Sequence, residues 1–62
     1  MEFPIGARLK ELRKTKGLSI TELAEKSGVS TGLISQIERD LVVPSVVNLY
    51  RIAQALGTDI NY

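Results

Sequence analysis

The stretch Leu23-Ala24-Glu25-Lys26-Ser27-Gly28-Val29-Ser30-Thr31-Gly32-Leu33-Ile34-Ser35-Gln36-Ile37-Glu38-Arg39 decides the fold. Apolar residues recur in it at helical spacing on both sides of Gly28-Val29-Ser30, which leaves room only for a tight turn between two short helices. Gly28 permits the positive φ such a turn needs, and Val29 can plug the space between the helices. Ala24 is small where they cross. Ser30 reads as the N-cap of a helix over residues 31–39. At about 100° per residue, Ile34, Ile37 and Leu41 cluster on one side of that helix. Gly32, Ser35, Gln36 and Arg39 then fall opposite, with Thr31 at the exposed N-terminal end. This outward face is polar and uncharged except for Arg39, whereas a helix held only by solvation more often carries Glu and Lys.

Working upstream, Ser19-Ile20-Thr21-Glu22 is a capping box, which starts a helix over residues 20–27. Before it, Ile5, Leu9 and Leu12 mark one face of a helix over residues 4–16. Pro4 suits its first turn and Gly17 its end. Downstream, residues 40–44 read as a loop, and Ser45 caps a fourth helix over residues 46–56. Val46, Leu49, Ile52, Ala53 and Leu56 are expected inward, and Gly57 closes the helix. Thr58 or Asp59 can cap a further turn that ends with Tyr62. No segment alternates as a strand would, so the expected fold class is all-α, a bundle of four short helices plus a truncated fifth turn in one domain over 1–62.

Composition narrows the function. The 62 residues include no cysteine and no histidine, which removes disulfides, thiolate metal sites and the commonest general base. With no Gly-rich phosphate loop or paired-carboxylate pocket, neither an enzyme nor a metal or cofactor site is expected. No apolar run approaches the roughly 18 residues of a membrane span, and no secretory signal pattern opens the chain, so a cytoplasmic protein is expected. The net charge of +1 is uninformative, but residues 1–16 carry five basic residues against Glu2 and Glu11. That asymmetry fits a footprint for a polyanion and equally a solvated helix face.

Two short helices joined through a glycine-containing turn are the helix-turn-helix signature. Small residues with amides and hydroxyls on the second helix suit close approach to base edges in a major groove. The chain from Ile5 to Ile60 resembles the Cro/C1-type (XRE, phage-repressor-like) helix-turn-helix family. The resemblance rests on Leu9-Lys10-Glu11-Leu12-Arg13, Gly17-Leu18-Ser19, Glu22-Leu23-Ala24, Gly28-Val29-Ser30, Ile34-Ser35-Gln36-Ile37-Glu38-Arg39, Pro44-Ser45, Leu49 and Ile52-Ala53-Gln54-Ala55-Leu56-Gly57, in family order. Residues 33–39 with Pro44-Ser45 are most similar to the branch often fused to a C-terminal cupin-like sensor domain.

The resemblance implies sequence-specific binding of double-stranded DNA by a transcriptional regulator, with repression the expected mode and the third helix in the major groove. It places Thr31, Gly32, Ser35 and Gln36 at the base-reading positions. Gln36 would be the main reader, pairing with adenine N6 and N7. Phosphates would meet Arg39, Ser30 and the backbone amides at Ser19 and Ile20, where the second helix starts. Arg13 and Glu38 would form a partly buried ion pair tying the first helix to the third. The family usually adds a fifth helix and dimerises on palindromic operators, so the chain is expected to be the DNA-binding portion of a larger regulator.

Plainer readings stand beside these. Gln36 is also an ordinary exposed glutamine, Gly32 a tolerated first-turn residue, Ser30 a cap first, and Arg39 a complement to the helix dipole. Ile20 stands where many relatives have a phosphate-binding glutamine, Leu41-Val42-Val43 replaces a loop that is frequently basic, and Asp40 replaces the usual glycine. Those apolar residues, with Leu33, Val47 and Tyr50, motivate the alternative of a protein–protein interaction module of antitoxin or adaptor type on the same fold.

Overall fold

A computed structural model describes residues 5–57. It contains α1 (Ile5–Thr15), α2 (Ile20–Ser27), α3 (Thr31–Glu38) and α4 (Val46–Ala55), with no strand among the described residues. The helices start and stop within a residue or so of the sequence expectation. Pro4 and the expected turn beyond Gly57 lie outside the described residues.

The starts are set by serines. Ser19, Ser30 and Ser45 each stand in extended backbone and accept a hydrogen bond from an N–H three residues on, those of Glu22, Leu33 and Asn48. The Glu22 carboxylate returns the bond to the Ser19 N–H at 2.8 Å, completing the capping box. Accepting from this backbone and from the Ser19 side chain holds the Glu22 carboxyl below its ordinary value of 4.5. A carboxyl depressed on folding stabilises the fold above the unfolded value, and that contribution is lost as pH falls through the folded one. Glu22→Gln is therefore expected to flatten the acid limb of the stability–pH curve, measured by thermal melts below neutral pH. Ser30→Ala removes the Leu33 bond, and it should cost about 1 kcal/mol and lower Tm by roughly 4–8 °C.

The stops depend on left-handed backbone. Gly17, Gly28 and Gly57 close α1, α2 and α4 at φ of 72°, 72° and 71°. The chain past α3 makes the same reversal at φ 60° with Asp40, which bears a side chain. There the Asp40 N–H donates to the Ile37 carbonyl and the Leu41 N–H to the Gln36 carbonyl, a Schellman closure normally made with glycine. A non-glycine residue in this region costs roughly 1–2 kcal/mol, least for Asp and Asn.

Leu23, Ile34, Ile37 and Ile52 are essentially buried, joined by Leu9, Ala24, Val29 and Leu56. The core thus draws on all four helices and on the turn between α2 and α3, where Val29 fills the gap as expected. Ile5, Leu12, Leu33 and Val42 pack on it while keeping part of their surface in water. Two expectations fail. Val46 is 81% exposed rather than inward, and Leu41 is 61% exposed rather than grouped with Ile34 and Ile37. Val46 opens α4, beyond the reach of the other helices, and Leu41 follows the reversal at Asp40 and has left the helical register.

Candidate nucleic-acid interface

The α2–turn–α3 unit presents the outward side of α3 to solvent. Ile34 and Ile37 pin its back into the core, so Thr31, Gly32, Gln36 and Arg39 are exposed and Ser35 is half-buried. The plainly open part of the face is therefore Thr31, Gly32 and Gln36, with Arg39 at the C-terminal end and Ser35 set further in. Among the described residues Arg39 enters no ion pair. Glu38, the remaining charge on α3, is turned to the protein. A β-carbon built on Gly32 would meet nothing within 4 Å, so the fold itself makes no demand for glycine there.

Two helix starts frame this face. At α3 the Ser30 hydroxyl takes the Leu33 N–H at 3.1 Å, and the Ser30 carbonyl takes that of Ile34. The first-turn N–H groups of Thr31 and Gly32 have no intrahelical acceptor. At α2 the Ser19 hydroxyl is taken by Glu22, leaving the first-turn donors of Ile20 and Thr21. Both starts carry the partial positive charge of a helix N-terminus, but Glu22 offsets it at α2, while α3 has no acid in its first turn. Ile20 is half-buried against the core, so its backbone rather than its side chain is the group available at that end.

Behind the face, Arg13 and Glu38 meet. Arg13 Nε donates to Glu38 Oε2 at 2.7 Å and Nη2 to Oε1 at 3.0 Å, with the two side chains 10% and 5% exposed. Arg13 Nη1 donates to the Leu18 carbonyl at 2.8 Å, and the Leu18 N–H returns a bond to the Arg13 carbonyl. The hydrogen bond that the guanidinium donates to Glu38 outweighs the cost of burial and raises its pKa above the ordinary value. The link to Leu18 goes beyond the sequence reading, because a carbonyl acceptor leaves no mark on residue type. The contact between Gly6 and Asp40 likewise joins residues that no periodic pattern pairs, although a glycine inside an otherwise good helix is a sign of it.

An amphipathic bundle with a polar, nearly uncharged outward face on the second helix of a two-helix turn is the architecture of a DNA-binding helix-turn-helix module. The chain belongs to the helix-turn-helix family HTH_3, whose model matches residues 9–62. It is 43% identical over 58 residues to the HTH-type transcriptional regulator SinR of Bacillus subtilis, covering 92% of this chain and 52% of SinR. It is 39% identical over 57 residues to the immunity repressor protein of Bacillus phage phi105, covering 92% of this chain and 40% of the repressor. The chain thus spans about half the length or less of these relatives. Its fold superposes at a TM-score of 0.85 on SinR, the master regulator for biofilm formation, in complex with DNA. There the identity is 45%, and 89% of each chain is covered. No helix among the described residues is long and apolar enough to cross a membrane.

Proposed function

We propose that this chain is the DNA-binding domain of a cytoplasmic transcriptional regulator, a repressor, which inserts α3 into the major groove of an operator. The observation that carries the reading is the contrast within α3: Ile34 and Ile37 are buried, while Thr31, Gly32 and Gln36 are exposed and uncommitted. In this reading Gln36 pairs with adenine through its amide, Thr31 meets a base or phosphate, and Ser35 contributes from the rim. Arg39, Ser30 and the N–H groups at the start of α2 hold phosphates and set the register. The module acts as one half of a dimer on a palindromic site, within a longer regulator, and carries no catalysis and no cofactor.

Selection of binding sites from random duplex DNA tests this directly. The expected outcome is an enriched palindrome with half-sites one helical turn apart, bound with an affinity that falls linearly on a log–log plot as salt rises. Equal recovery of all sequences contradicts it. Gly32 gives a second test. Gly32→Ala should raise stability by a few tenths to about 1 kcal/mol, since alanine is the better helix former and nothing obstructs it. The same variant should bind the selected duplex more weakly, because the added methyl stands where the groove floor must approach. Thermal melts and duplex titration of the one variant check both halves.

A second reading, a protein–protein module, is favoured by Leu41, Val43, Val46, Val47 and Tyr50, large apolar residues all at least 47% exposed. Binding through them would survive high salt, whereas DNA binding would not.

A further inference from the structure

The corner where α1 meets the end of α3 holds a second link besides Arg13–Glu38. Asp40 Oδ1 accepts a hydrogen bond from the Gly6 N–H at 3.2 Å, across 34 residues of sequence. Gly6 is buried there. A β-carbon on Gly6 would run into the Ile37 carbonyl oxygen, and would stand 2.6 Å from Asp40 Oδ1 and 2.8 Å from the Glu38 carbonyl oxygen. Two of those three obstacles are α3 backbone, which cannot turn aside as a flexible side chain can. Glycine at position 6 therefore lets the start of α1 lie directly on the last carbonyls of α3.

The electrostatics run the same way. The first turn of α1 contains no acidic residue of its own. Asp40 brings a carboxylate to that positive helix end, where it satisfies one of the first-turn donors. This gives a reason for an aspartate at a left-handed position where the other three helices use glycine. Arg13 lies about two turns further along the same side of α1. The C-terminal end of α3 is thus gripped from α1 at two points, through Asp40 and through Glu38.

We propose that Gly6 and Asp40 are positioning residues for α3: together they form a second clamp that, with Arg13–Glu38, sets the angle at which α3 stands on α1 and hence enters the groove. The DNA consequence rests on the reading above, while the angle itself does not.

The test uses the full chain and three variants. Asp40→Gly keeps the backbone reversal and removes the carboxylate. Asp40→Asn keeps an acceptor oxygen. Gly6→Ala inserts the obstructing carbon. Residual dipolar couplings report the α1–α3 angle, and titrations compare the selected duplex with a scrambled one. For Asp40→Gly the angle should change and the specific-to-scrambled affinity ratio should fall at least threefold, while Tm stays within a few degrees. Asp40→Asn should hold the ratio within about twofold of the parent, and Gly6→Ala should lower it tenfold or more. Ile52→Val, a destabilised core variant away from the corner, should leave the ratio unchanged. An unaltered angle or an unaltered ratio in Asp40→Gly overturns the proposal, even if Gly6→Ala fails to fold. If the parent chain does not discriminate between duplexes, the DNA reading fails, and the clamp is judged on the angle alone.

Discussion

Arg13→Met is expected to remove a large part of the domain's stability. The substitution strands the Glu38 carboxylate, 5% exposed, without the two donors that hold it. Breaking one member of a buried pair costs about 3–5 kcal/mol, against roughly 3–9 kcal/mol of total stability for a domain of this size. Tm should fall by at least about 12 °C, and specific DNA binding should fall with it. The double variant Arg13→Met, Glu38→Leu separates the two roles. Replacing both charges with apolar groups removes the stranded carboxylate, so at least half of the lost Tm should return. The bidentate geometry that orients α3 does not return, so discrimination between duplexes should stay low. Thermal melts and duplex titrations of both variants check this. If Arg13→Met leaves Tm and affinity unchanged, the pair has neither role.

Gln36→Ala should behave in the opposite way. Gln36 is exposed, its side chain makes no hydrogen bond among the described residues and it stands on a helix that alanine favours, so Tm should hold or rise slightly. Specific affinity should fall by about 1–3 kcal/mol, or roughly five- to 150-fold, while affinity for scrambled DNA stays level. The loss should be concentrated at one base pair of each half-site, visible as relaxed preference when selection is repeated with the variant. A uniform loss across all duplexes would make Gln36 a general contact rather than a reader.

What was legible in the sequence was local. Serine caps, the Ser19–Glu22 box and the closing glycines act within a few residues, so the helix limits could be read nearly as they stand. Gln36 and Thr31 could be placed outward because Ile34 and Ile37 fix the phase of α3. The expectations that failed needed knowledge of neighbours. Periodicity says which residues share a side of α4, but not that no other helix reaches Val46. Periodicity groups Leu41 with Ile34 and Ile37 only if α3 continues, whereas the reversal at Asp40 ends that phase. The Gly6–Asp40 contact joins residues far apart in sequence and has no periodic signal. The Arg13–Glu38 pair was legible only through the family resemblance, since their spacing alone does not bring them together.

The claim that most depends on the outward side of α3 is best tested by following backbone amide resonances during titration with the selected duplex. Thr31, Gly32, Ser35 and Gln36 should shift most, together with Ile20 and Thr21 at the start of α2. Leu41, Val43, Val46 and Val47 should move less. Shifts concentrated on that apolar group, with residues 31–36 unmoved at saturating DNA, would contradict it.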